Sequence, residues 1–162
     1  EQLNEINNAL ILENINSLSP VSFKLVLQKF PNLEFFATGV SVPAVSSGVT
    51  TANLSQRNMN IYGDKLTFED LSVKLIVDED MKSYKEIFDW INASVMDQSL
   101  LGDQFSDITL MVMTSHNNEN RTFTFKNAIP TSIGGLEFDA GATEVSYITA
   151  DVVFSFSDMT IE

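Results

Sequence analysis

The side chains that most often do chemistry are few in this chain, and their spacing argues against most of it. His116 is the single histidine, so a histidine-based triad or a multi-histidine metal site would need a second chain. It falls in the turn-rich run His116-Asn-Asn-Glu-Asn120 and reads as an exposed, non-catalytic residue. The absence of cysteine excludes disulfides, thiolate nucleophiles and cysteine-ligated metals. Asp78-Glu79-Asp80 is dense enough in carboxylate to attract a divalent cation, but it lacks the alternate spacing and the glycine of a calcium loop. Glu69 and Asp70 imitate a carboxylate pair only on paper, because neighbours on a strand face opposite ways. Gly63-Asp64 and Gly134-Gly135 have neither the Lys-Ser/Thr nor the βαβ setting of a phosphate-binding loop. The 12 Phe, three Tyr and one Trp lie mostly at core spacing, without the interleaved Lys and Arg of a base-stacking platform. No catalytic residue, metal site or cofactor is expected.

The elements that would carry these residues are clearer than any site. In Leu71-Ser-Val-Lys-Leu-Ile-Val77, Leu71, Val73, Leu75 and Val77 share one strand face. The acids Asp78-Glu79-Asp80 suit a helix start, where free N–H groups and the helix dipole favour negative charge. Met81, Tyr84, Phe88, Ile91 and Val95 then recur at helical spacing, with Ile87 and Trp90 widening the face. This predicts a helix at about 80–95. Val21–Leu27 and Leu33–Thr38 predict a hairpin turned at Lys29-Phe-Pro-Asn32. Arg57–Tyr62 reads as a short strand turned by Gly63-Asp64 onto Lys65–Val77. Ile108–Met113 and Arg121–Lys126 are strands, Asn127–Gly135 reads as irregular, and Leu136–Asp139 as brief and strand-like. Val145–Ile161 alternates over a long span, with Ala150, Val152, Phe154 and Phe156 on one side. Six or more strands with one helix predict a mainly β fold, an antiparallel β-barrel or sandwich with one flanking α-helix.

At 162 residues the chain is one domain by size. Residues 1–19 read as an N-terminal extension whose Leu3, Ile6, Leu10 and Ile15 hint at an amphipathic helix, packed on the domain or docked on a neighbour. Residues 20–162 form a single β domain. Within it, residues 37–56 contain no charged residue, although the chain carries a formal charge of −13. A solvent-exposed loop of that length is uncommon in a compact domain. It is either a flexible linker or an extended arm covered by another subunit. The acidity grows toward the end, where residues 101–162 hold nine acids against Arg121 and Lys126. An acidic surface repels phosphate backbones, which argues against specific nucleic-acid binding. No run is long and apolar enough to anchor the chain in a membrane by a helix.

The order of features is more specific than any single residue. A front hairpin leads to Val42-Pro43, a long arm, and Arg57 through Gly63-Asp64. Leu66-Thr-Phe-Glu-Asp-Leu-Ser-Val73 and a helix with Phe88-Asp89-Trp90 come next, and Phe125-Lys-Asn-Ala-Ile-Pro130 and Thr131-Ser-Ile-Gly-Gly-Leu136 precede the final strand. From about Phe23 to Ile161 this resembles the tail tube proteins of contractile-tailed bacteriophages of the T-even type. The resemblance implies a structural virion protein of the tail tube, assembled in the host cytoplasm and without enzymatic activity. Six subunits would form a ring, their strands joined edge to edge in an inner barrel. The rings would stack into a tube inside a contractile sheath. Its partners would be further copies of itself, the tail sheath protein, a baseplate tube initiator, the tape-measure protein in the lumen and, in passage, genomic DNA. Inter-ring or subunit contacts are then expected at Val42, Pro43, Val45, Val49, Leu54, Arg57, Met59 and Asp64. Glu137, Asp139 and Asp151 are candidates for an acidic lumen lining. The alternatives are a baseplate tube-initiator paralogue, a secretion-system tube protein or, from another class, a monomeric β-sandwich module that binds carbohydrate or protein.

Overall fold

Alternation of apolar and polar residues dictates the core strands of this chain, and the computed structural model assembles them into antiparallel sheets around one helix. It describes residues 22–30, 37–54, 56–96, 104–114, 116, 118–141 and 147–162. The expected N-terminal extension, residues 1–19, lies outside them. In order, the elements are β1 (Phe23–Leu27), β2 (Ala37–Ser41), β3 (Val45–Leu54), β4 (Arg57–Phe68), β5 (Leu71–Ile76), α1 (Lys82–Met96), β6 (Ser106–Met113), β7 (Glu119–Ile133), β8 (Thr149–Ser155) and β9 (Asp158–Ile161). The fold is mainly β and antiparallel, with one flanking helix.

The main sheet runs β1-β6-β7-β8-β5-β2, with β9 also on β7. β7 belongs to both halves. One of its edges takes β6, from Glu119 to Ala128. The other takes β9 along Phe123–Lys126 and β8 along Ile129–Ile133. Asn127, at φ 53°, marks the bend between the halves, and its N–H donates to Asp107 Oδ1 at 3.0 Å. Phe156 and Ser157 break β8 from β9 at the same level, where Ser157 N–H donates to Lys126 O. The single long final strand expected from the sequence is therefore two strands along one partner.

The two halves face each other across one core. Leu25, Leu27, Ile108, Leu110 and Phe125 come from the first half, and Leu71, Val73, Leu75, Val152 and Phe154 from the second. Ile87 and Trp90 of α1 complete it. The Trp90 ring packs at 5.2 Å from Phe30 and 6.1 Å from Phe154, and its Nε1–H donates to Gln104 O at 2.9 Å.

Several local expectations change. β1 does not pair with β2. It pairs with β6, while β2 lies across the fold on β5; residues 31–36 fall outside the described set. Gly63-Asp64 is no turn: Arg57–Phe68 is one strand, and its partner is β3. The register slips between Ser47 and Val49, where three residues, Gly63 to Lys65, oppose Gly48. A Cβ on Gly63 would lie 2.9 Å from Gly48 O, so the two backbones approach there as only glycine permits. Asn127–Ile133, expected to be irregular, continues β7. Pro130 is tolerated beside a register shift, on a strand whose opposite edge has no described partner past Ala128. Leu136–Asp139 is not a strand. On α1 the buried residues are Ser83, Ile87 and Trp90, whereas Phe88 and Val95 are exposed.

Candidate functional site

Among the described residues three surface features stand out once the core is accounted for: a projecting hairpin, unpaired sheet edges and a sheet face whose charges balance. The hairpin is β3–β4, paired from Val45↔Phe68 at its base to Leu54↔Arg57 at its tip. Glu69 N–H donates to Ala44 O at 3.0 Å, and Phe68 packs 5.6 Å from Phe156. Beyond that base, the arm makes no extensive contact with the other described elements. Its exposed apolar residues include Val49 at 63%, Tyr62 at 84% and Leu66 at 60% exposure. A lone two-stranded hairpin is marginal in water, and apolar groups clustered on such an arm mark a contact surface.

The sequence-derived contact candidates fall along this arm and its root. Val42 is exposed and Pro43 buried, both between β2 and β3. Val45 and Val49 are exposed on β3 and Met59 on β4. Arg57 stands exposed at the tip opposite the backbone of Leu54, and Asp64 is exposed in the irregular stretch across from Gly48. The sequence reading takes Val42–Gln56 and the Arg57–Lys65 segment as leading contacts, which includes Ile61 and Tyr62, but Leu66 lies outside it. Met59 and Ile61 can be placed on a strand from the sequence, but only the β3–β4 register puts them and Leu66 on one arm.

The edges are β1, β2, β9 and the stretch of β7 beyond Ala128, each with an unpaired side among the described residues. The half formed by β2, β5, β8 and the end of β7 is therefore four strands wide, with an open edge on either side. By register its outward face carries the small polar residues Ser41, Ser72, Ser132, Thr149 and Ser155 together with the half-buried apolar Ile76, Ile129 and Val153. Its charges are Lys74 and Asp151, directly opposed in the β5–β8 register and 4.0 Å apart. Both are more than half exposed, so the pair adds little to stability, but it leaves that face neutral. Glu137 and Asp139 lie apart from it in sequence, exposed in the irregular segment after β7; Asp139 Oδ1 accepts from Gly141 N–H at 2.8 Å. The three acidic candidates thus occupy two elements, and one of them has a basic partner.

The carboxylate-rich run before α1 serves the helix. Asp78 accepts from Lys82 N–H, Ser83 N–H and Ser83 Oγ, the last at 2.7 Å. Desolvation pushes its pKa up, but the hydrogen bonds from Ser83 and Lys82 together outweigh it, and the net shift is downward. Among the described residues no three His, Cys, Asp or Glu side chains are grouped to hold a metal ion. Among those same residues, no helix is long and apolar enough to cross a membrane.

Solved structures share this architecture. The tube-terminating cap of the anti-feeding prophage aligns with a TM-score of 0.72 at 16% identity, covering 95% of this chain and 96% of that one. The sheath–tube complex of the extracellular contractile injection system PVC, in its extended state, gives 0.70 at 17% identity, covering 91% and 93%. A type six secretion system protein gives 0.54 at 14% identity, covering 87% and 82%. A search of curated proteins finds no match. At these identities the structural likeness establishes the fold. The family model described as T4-like virus tail tube protein gp19 matches residues 22–156, and with most of its length so matched, the chain belongs to that family.

Proposed function

We propose that the chain is the repeating structural subunit of the inner tube of a contractile, phage-like particle. Six copies close into a ring and the rings stack into a hollow tube. The observation that supports this reading is an arm with little contact to the other described elements beside a four-stranded half-sheet whose two outer edges have no partner among the described residues. Open edges are a liability in a monomer and become joints in a ring. The β2 edge of one subunit meets the end of β7 in the next, which extends the half-sheet around the bore. Its Ser- and Thr-rich outer face then lines the lumen, with Lys74 and Asp151 as its strand-borne charges. Glu137 and Asp139 make the conduit acidic from the segment after β7, so that DNA passes without adhering.

The arm, from Val42 at its root through Arg57 and Met59 to Asp64, covers subunit and ring contacts. The sheath protein surrounds the tube, a baseplate initiator seeds it, and the tape-measure protein fills it before ejection. The role is structural, with no chemistry assigned to any residue.

Negative-stain electron microscopy of purified protein across a concentration series tests this. Six-membered rings or straight hollow tubes are expected. Persistent monomers, even at high concentration and with a tube-nucleating baseplate present, would overturn it in favour of a monomeric binding module.

A further inference from the structure

In an antiparallel ladder, directly opposed residues share a face and successive pairs alternate. Applied to β3–β4, this rule separates the apolar residues of the arm into two patches on opposite faces. One face carries Val45, Leu66, Val49 and Tyr62 in the half nearest the base; toward the tip the same face turns polar, with Thr51 opposite Asn60 and Asn53 opposite Asn58. The other face is polar near the base, with Ser46 opposite Thr67, and becomes apolar toward the tip, with Ile61, Ala52 and Met59. The switch falls between the pairs Val49↔Tyr62 and Thr50↔Ile61. A single partner along one side of the arm would call for one apolar face from end to end. Two patches at different heights, on opposite sides, call for two.

We infer that the arm is a two-sided clamp between copies of this chain: its base half seats the lateral neighbour in the same ring, and its tip half seats a subunit of the adjacent ring. The inference rests on the tube reading above and adds a division of labour within the arm. The base patch begins at Val45, opposite Phe68, whose ring meets Phe156 at the margin of the subunit's own core. A group seated there lies against the subunit's own body, as a lateral neighbour does. The tip is nine residues along β3 from Val45, roughly 30 Å at strand rise, about twice the radius of gyration expected for a domain of this size. It therefore reaches past its own subunit.

Charge identifies the occupants as further copies. Residues 45–68 contain Arg57, Lys65 and Asp64 and no other charged residue, so the arm is net positive within a chain of formal charge −13. Like-charged copies repel wherever their acidic surfaces approach. The arm is the segment on which an acidic copy meets apolar groups and a slight excess of positive charge.

Two double variants separate the halves: Tyr62→Ser with Leu66→Ser, and Met59→Ser with Ile61→Ser. Far-UV circular dichroism and melting temperature should match wild type in both, since the arm packs on little beyond its base. The tip variant should form closed single rings and no tubes at ten times the concentration at which wild type forms them. The base variant should remain monomeric by light scattering. Identical products from the two variants, the reverse assignment, or wild-type assembly by both would overturn the clamp while leaving the tube reading intact. A wild-type chain that forms neither rings nor tubes would overturn both. The lack of cysteine allows a second readout, maleimide labelling of Tyr62→Cys and Met59→Cys. In single rings the thiol at 62 should react at least tenfold more slowly than the one at 59, and in tubes both should be slowed. Equal rates in rings would sink the assignment.

Discussion

At the residue scale, Asp78 and Gly63 have the most sharply defined roles. Asp78 holds the start of α1 through two backbone N–H groups and the Ser83 hydroxyl, so Asp78→Ala should cost about 1 kcal/mol, the usual worth of a helix cap. The pH dependence follows from the downward shift of its pKa. A carboxylate with a depressed folded pKa stabilises the fold at pH values above its unfolded value, 3.8, and loses that contribution as pH falls through the folded value. Urea denaturation should find the gap between wild type and Asp78→Ala at full size at pH 7 and shrinking below pH 3.8. A gap constant down to pH 2 would refute the capping account. Gly63 acts differently. Gly63→Ala would drive a Cβ to 2.9 Å from Gly48 O and 3.1 Å from Gly48 C, contacts that backbone cannot relieve cheaply. Because β3 and β4 pair chiefly with each other, the expected outcome is an unchanged melting temperature with impaired assembly by electron microscopy. A large drop in melting temperature would mean that the arm supports the core.

At the scale of elements, α1 separates what the sequence reveals from what it conceals. The spacing Met81-Tyr84-Phe88-Ile91-Val95 announces a helix correctly, but Ile87 and Trp90, which appear in the pattern only as wideners, occupy the centre of the buried stripe. Both choices satisfy a three-to-four-residue repeat, and they differ by one position, about 100° around the axis. Only tertiary contact with Phe30 and Phe154 decides between them. Ile87→Ala should therefore cost about 2–5 kcal/mol, and Phe88→Ala no more than about 0.5 kcal/mol, by denaturant midpoint; equal losses would contradict the observed rotation. The alternating strands were legible for the converse reason. Leu71, Val73 and Leu75, like Ala150, Val152 and Phe154, leave no second face to choose. Neighbour order was not legible, because β1 pairs with β6 across more than 80 residues of sequence and local pattern says nothing about such a pairing. The arm falls between these cases. The absence of charge in residues 37–56 set its first strand apart, yet Gly63-Asp64 imitated a turn and hid the continuity of β4. The acids offered for the lumen were legible as acids only, since the register that sets Lys74 against Asp151 is again long-range.

At the scale of the whole molecule, the acidity of the chain and the neutrality of one sheet face are parts of the same problem. In the proposed ring, copies of formal charge −13 would approach closely, and a charge repeated around a closed bore would act on all its equivalents at once. Narrow clefts with low-dielectric walls focus such fields. On the face of β2, β5, β8 and the end of β7, Lys74 offsets Asp151 at 4.0 Å, so a ring built with that face inward adds no net charge to the bore from its strands. Lys74→Glu makes the face acidic by two charges per subunit relative to wild type. On an isolated subunit the change should be nearly silent, because the pair is exposed and surface pairs are worth at most about 1 kcal/mol. In a ring with that face inward it should raise the concentration needed for assembly at low salt. Raising the ionic strength from 0.01 M to 0.15 M, which shortens the screening length from about 30 Å to about 8 Å, should restore most of it. Sedimentation of Lys74→Glu and wild type at both salt concentrations reads this directly. A salt-reversible defect puts the face in the bore; assembly equal to wild type at low salt puts it on the outside of the tube and leaves the lining to the opposite half of the fold.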